Sequence, residues 1–138
     1  MSDLRPVIYL TVGEVERFHA KIMQRAGQLP TPPRNRGLLE SAVQRPQTAA
    51  YYDGADIIMQ AAFYMTGIAA NHPFVDGNKR TGFISGMVFL RINGVTQGDP
   101  RLDDPEMGVW LEEVIAHLIS FEQVVQRLRE RIASIEEP

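Results

Sequence analysis

Apolar residues recur along this chain at three- and four-residue spacing, the period of helices that bury one face. Val15, Phe18, His19, Ile22, Met23 and Ala26 make the first such face. Thr11 is placed to cap it, with Glu14 completing a capping box and Leu10 and Val15 forming a hydrophobic staple. Gly27 is a suitable stop. Ahead of this helix, Val7 to Leu10 reads as a short strand or an extended lead-in. Residues 28–37 hold three prolines and two arginines and read as a loop. Leu38 to Arg45 predicts two helical turns, terminated by Pro46. Gln47 to Gly54 is open between a short hairpin and a flap, with Tyr51 and Tyr52 beside the turn pair Asp53-Gly54.

The second half is more regular. Ile57, Ile58, Ala61, Ala62, Met65, Ile68 and Ala69 predict a helix over Ala55 to Asn71. A further helix runs from Asn78 or Lys79 to Ile92, apolar nearly all round at Phe83 to Leu90, as suits the centre of a bundle. Asn93-Gly94 ends it. Asp104-Pro105 opens the next helix, with Met107, Trp110, Leu111, Val114, Ile115 and Leu118 on its inner face. Ser120 and Gln123 make a second capping box, Ile119 and Val124 a second staple, ahead of Phe121, Val124, Val125, Leu128, Ile132 and Ile135. The fold class predicted is all-α, mainly helical, in a single domain over residues 1–138.

Composition narrows the function. A net charge of −3 argues against a nucleic-acid reader, which carries a basic face. A helix-turn-helix at Ala70 to Arg80 is disfavoured too, since the apolar helix that follows lacks the polar face recognition needs. The absence of cysteine excludes disulfides, thiolate metal sites and cysteine nucleophiles. Met1 to Pro6 lacks the pattern of a signal peptide, and no stretch reaches the ~18 apolar residues of a membrane span. The expectation is a soluble, cytoplasmic protein that uses neither DNA nor membrane.

Chemistry concentrates between the two central helices. From His72 to Arg80, nine residues bring together an imidazole, a carboxylate, a glycine, an amide and two cations where a loop becomes a helix. First-turn amides are unpaired and carry partial positive charge, so they accept phosphate oxygens. Gly77 gives the backbone freedom to approach an anion, Lys79 and Arg80 add full charges, and Arg80 can grip phosphate as a fork. Asp76 is a lone hard carboxylate, the usual protein share of a magnesium site completed by phosphates and water. His72 can take a proton near neutral pH. A blander reading stands beside this one. Asp-Gly is a common turn, Lys-Arg often a solvated face, and Gly82 and Gly86 can serve helix packing alone.

The string His72-Pro73-Phe74-Val75-Asp76-Gly77-Asn78-Lys79-Arg80 resembles the signature of the Fic/Doc family, His-x-Phe-x-(Asp/Glu)-(Gly/Ala)-Asn-(Gly/Lys)-Arg, at every defining position. Tyr9-Leu10-Thr11 with His19, Arg36 to Ala42, and Phe89 to Gly94 also resemble death-on-curing (Doc) sequences. The resemblance implies a helical bundle with a short flap or hairpin near the active site. His72 would be the general base toward a target hydroxyl and Phe74 the buried anchor of the loop. Asp76 would hold Mg2+; Gly77, Asn78, Lys79 and Arg80 would hold the phosphates of ATP. Residues 47–54 would be the flap along which a target peptide lies as an added strand.

Lys79, where adenylylating members have glycine, and Phe83, where they carry a second arginine, resemble the Doc branch. That branch transfers phosphate; Gly77, alanine in some Doc proteins, leans toward AMP transfer (adenylylation). The implied function is a toxin that phosphorylates a Thr or Ser of a target protein, a translation factor. No glutamate has Ser or Thr four residues before it, so the self-blocking helix of many Fic proteins is missing and an antitoxin in trans is implied. A non-catalytic, partner-binding bundle is the remaining alternative. Outside the motif, His19 reads as a satisfied core histidine and His117 as a surface residue. Met59, Met65 and Met87 read as core; for Arg34, Arg36 and Arg45, solvated loop charge is favoured over support of the nucleotide or target.

Overall fold

Local capping sets the first helix. In the computed structural model, which describes residues 6–95 and 106–136, α1 spans Val12–Arg25. The Glu14 amide donates to Thr11 Oγ1 at 3.1 Å and the Thr11 amide to Glu14 Oε1 at 2.9 Å, closing the expected box. Five further helices follow: α2 (Arg36–Asp53), α3 (Ile57–Asn71), α4 (Asn78–Ile92), α5 (Glu106–Ile115) and α6 (Phe121–Glu136). Among the described residues there is no strand. No helix there is long and apolar enough to cross a membrane.

The core is the α3–α4 pair. Tyr64, Met65 and Ile68 from α3 and Met87, Phe89 and Leu90 from α4 are all buried. These two helices approach closely because α4 carries Gly82 and Gly86 on the facing side. A Cβ on Gly82 would lie 2.5 Å from the Met65 carbonyl oxygen, and one on Gly86 3.0 Å from that of Ala61. Close packing is therefore what these two glycines serve.

The segment before α1 is extended but pairs with no strand. Asn93, just past α4, bonds both backbone groups of Ile8, at 2.9 Å to its amide and 3.0 Å to its carbonyl. The Leu10 amide donates to the Tyr64 hydroxyl at 3.1 Å. Burial pushes that phenol up to about 12.

Helix α2 departs from the sequence reading. It passes through Pro46 to Asp53 and ends at Gly54, whose φ of 68° is left-handed. A proline inside a helix costs about 3 kcal/mol. Against that, Pro46 and Ala49 are themselves buried, extending the face that Leu39, Ala42 and Val43 begin. Packing wins, and the turn pair Asp53-Gly54 becomes a helix stop. No flap forms. Residues 47–53 also lie at the wrong end, since α2 meets the motif loop at its start, through the Asn35 amide to Pro73 oxygen at 3.2 Å. At 1.5 Å per residue the exposed Tyr51 and Tyr52 stand roughly 25 Å further along.

The C-terminal pair closes the bundle. Asp56 caps α3 through the Met59 amide at 2.9 Å and pairs with Arg129 of α6 at 2.7 Å. Phe63 stacks on Phe121 with ring centroids 4.3 Å apart. The Ser120–Gln123 box forms, at 2.7 and 3.1 Å. Helix α5 stops at Ile115, earlier than its apolar spacing suggests. His117 turns left-handed at φ 60°, and the Leu118 amide reaches back to Glu113. Leu118 thus leaves the inner face and is 74% exposed; His117 is at the surface as expected. The Asp104-Pro105 start lies outside the described residues, as do the side chains of Met107 and Ile135.

Candidate active site

Helix α3 ends at His72, whose φ of 50° and ψ of 53° are left-handed. That conformation costs a side-chain-bearing residue about 1–2 kcal/mol, so neighbouring contacts must hold it. Arg34 supplies two, donating from Nη2 at 2.7 Å and Nε at 3.3 Å to the His72 carbonyl.

Phe74 is buried and stacks face to face on His19 of α1, centroids 3.7 Å apart at 6°. His19 Nε2 donates to the Asp76 carbonyl at 2.9 Å. The histidine on the apolar face of α1 is thus a satisfied, buried one that carries the motif loop. Asn78 grips the same loop from the other side. Its Oδ1 accepts from the Phe74 amide and its Nδ2 donates to the Phe74 carbonyl, both at 2.9 Å. With its carboxamide paired in this way and the residue buried, Asn78 presents its backbone amide to the site.

Gly77 is the turn into α4, with φ 80°. A Cβ there would lie 3.2 Å from Met23 Sδ and 3.5 Å from His19 Cδ2, so both conformation and packing favour glycine. No side chain caps α4, and its first turn holds no acid. Thr81 is the first residue whose amide bonds back, to Gly77 at 3.0 Å. The amides of Asn78, Lys79 and Arg80 are left at the positive end of the helix dipole. Lys79 and Arg80 raise that potential, an unfavourable placement without an anion. Lys79 Nζ is held by Glu112 of α5, and Arg80 pairs with no carboxylate among the described residues.

These residues surround a cavity of about 780 Å³. His72, Asp76, Gly77, Asn78, Lys79 and Arg80 form its polar wall, and Ile22, Met23, Phe83 and Val109 an apolar one. The size suits a small-molecule ligand. Asp76 Oδ1 accepts the Gly77 amide at 2.8 Å, which leaves its second oxygen without a partner among the described residues. No group of three metal-ligating side chains occurs among those residues. A lone carboxylate beside the uncapped start of α4 fits the share that a protein gives to magnesium, though not a closed protein cage.

A family model described as the Fic/DOC family matches residues 9–90, more than half of the chain. The chain belongs to the Fic/DOC family. Similar proteins include two Doc proteins. The protein kinase doc of Escherichia phage P1 is 33% identical over 130 residues, 93% of this chain and 98% of that protein. The toxin Doc of Mycolicibacterium smegmatis is 46% identical over 66 residues, 45% of this chain and 49% of the toxin. Within this Fic/DOC chain, every motif residue singled out in the sequence lies on one loop and one helix mouth.

Three contributors come from elsewhere. Arg34 sits in the proline-rich loop, Glu112 on α5, and His19 is a buttress of the motif loop. Arg36 instead pairs with Glu16 at 3.0 Å and Glu40 at 3.4 Å. Arg45 lies over the Phe63 ring at 4.5 Å. A proline-rich run ending in an arginine before an Asn cap was the available signal for Arg34. No sequence signal marks Glu112.

Proposed function

We propose that this protein is a toxin-type protein kinase that moves the γ-phosphate of ATP to a Ser or Thr hydroxyl of a target protein. The observation that carries this reading is the uncapped mouth of α4, where three free amides and two cations converge beside an exposed histidine. Glu112 answers Lys79, but the three amides and Arg80 have no carboxylate partner among the described residues, and a polyphosphate would supply the missing anion. The names of its relatives, a toxin and a protein kinase, support the same reading.

Phosphoryl transfer demands mainly positioning and charge neutralisation. His72 would take the proton of the target hydroxyl as that oxygen bonds to the γ-phosphorus. The bond from γ-phosphorus to the bridging oxygen breaks, and ADP leaves. The amides of Asn78, Lys79 and Arg80, with the Lys79 and Arg80 side chains, would hold the phosphates. Asp76 would hold Mg2+, which neutralises phosphate charge when bound. Ile22, Met23, Phe83 and Val109 offer an apolar wall for the rest of the nucleotide.

AMP transfer is the second reading, and Gly77 was its observation. The packing of Gly77 on Met23 and His19 accounts for that glycine without reference to the reaction. The target in this proposal is a translation factor in the cytoplasm, and an antitoxin in trans restrains the enzyme. ATP labelled at either the γ or the α phosphate, incubated with Mg2+ and a cell extract, tests the reading. Label should pass from the γ position, and His72→Ala should slow it by about 10²–10⁴-fold. Label from the α position alone would overturn the kinase assignment. A non-catalytic bundle would transfer neither and show no ATP-dependent rise in Tm.

A further inference from the structure

We infer that Arg34 is a positioning residue for His72, holding the backbone of this cavity-lining histidine in its left-handed conformation. The inference rests on the reading of His72 as the base. Its starting point is the peptide between His72 and Pro73. Proline has no N–H, so that peptide offers a single polar handle, the His72 carbonyl. Arg34 grips that handle twice, at 2.7 and 3.3 Å, with the planar fork of its guanidinium. The neighbouring residue takes the next carbonyl, the Asn35 amide bonding Pro73 oxygen at 3.2 Å.

Arg34 is itself well placed to act as a fixed clamp. Asn35 caps α2 by accepting the Leu38 amide at 3.0 Å, which fixes the backbone that follows Arg34. Pro32 and Pro33 restrict the backbone before it. The left-handed His72 it holds is the junction of α3 and the motif loop. Releasing the carbonyl frees ψ of His72, the torsion that sets the imidazole relative to the motif loop that follows.

The phosphate cradle does not depend on this clamp. Asn78 with Phe74, and His19 with Asp76, anchor the start of α4 separately. Loss of Arg34 should therefore act on turnover and spare nucleotide binding.

The experiment compares wild type, Arg34→Ala and Arg34→Lys in the full chain. Steady-state γ-phosphate transfer, Tm, and the NMR signals of the His72 imidazole in the nucleotide-free protein are measured together. Arg34→Ala should lower kcat by about 10–100-fold, the effect of a small misplacement of a reacting group. KM for ATP should stay within twofold, and the His72 ring signals should shift. Arg34→Lys, with a point donor in place of the fork, should restore part of kcat and move the ring signals back toward wild type. Arg34→Ala with kcat within twofold of wild type, or a loss confined to KM, overturns the inference. If wild type moves no γ-phosphate, the kinase reading falls, and the ring signals alone decide the clamp. Unshifted signals in Arg34→Ala refute it, and shifted signals restored by Arg34→Lys uphold it.

Discussion

Replacing Gly82 by alanine probes the contact that places the site. An added methyl would stand 2.5 Å from the Met65 carbonyl oxygen and 3.3 Å from the Ala69 amide nitrogen. Both are backbone atoms of α3, so no side chain can swing aside. Restoring ordinary contact requires α3 and α4 to separate by about 0.9 Å, an overpacking that costs about 1–3 kcal/mol. Alanine regains about 1 kcal/mol of helix propensity. With an unyielding backbone neighbour the cost lies at its upper end, and the net loss is about 2 kcal/mol. For a chain of this length that lowers Tm by about 6–10 °C. Gly13→Ala is the matched control. Its methyl meets nothing nearer than 3.8 Å, so it should be neutral or stabilising by up to about 1 kcal/mol. Urea and thermal unfolding followed by circular dichroism read both. Because Gly82 lies in the first turns of α4, ATP binding should weaken in step with Tm. Gly82→Ala as stable as wild type would refute the claim that backbone contact sets the separation of these helices.

Other outcomes follow from single contacts. Asn78→Ala leaves the buried Phe74 amide and carbonyl unpaired, at about 1–3 kcal/mol for each orphaned group; urea unfolding should show the loss, together with weaker ATP binding as the loop relaxes. Tyr64→Phe strips the Leu10 amide of its acceptor and should cost about 1–3 kcal/mol at pH 8. The Tyr64 pKa is about 12 in the folded protein and ordinarily 10, so its contribution is complete below pH 10 and lost as pH rises through 12, by up to about 3 kcal/mol. The gap in stability between wild type and Tyr64→Phe should therefore narrow above pH 10, and a constant gap would count against this. Glu112→Gln releases Lys79 from an exposed ion pair worth at most about 1 kcal/mol. ATP should bind up to about fivefold more tightly by calorimetry, and weaker binding would contradict a competing role for Glu112.

Legibility of the fold tracks how local each decision is. The boxes at Thr11 and Ser120 lie within three residues of the helix starts they set, and both were readable. Pro46 reads locally as a terminator, whereas its burial on the inner face of α2 keeps it inside the helix, which no local pattern reveals. Leu118 keeps helical spacing from Leu111, yet a left-handed His117 removes it from that face. The site divides in the same way. Its motif is contiguous, so residue types alone suggested phosphate chemistry. Arg34 and Glu112 reach it from 38 and 33 residues away. Asn78 shows a subtler gap: its position at the mouth was legible, but not the use of its carboxamide to close the loop.

The most direct test is a crystal structure with Mg2+ and a non-hydrolysable ATP analogue. The account predicts phosphate oxygens on the amides of Asn78, Lys79 and Arg80, with the terminal phosphate nearest His72. A nucleotide bound elsewhere, or one that turns its α-phosphate to His72, would contradict it.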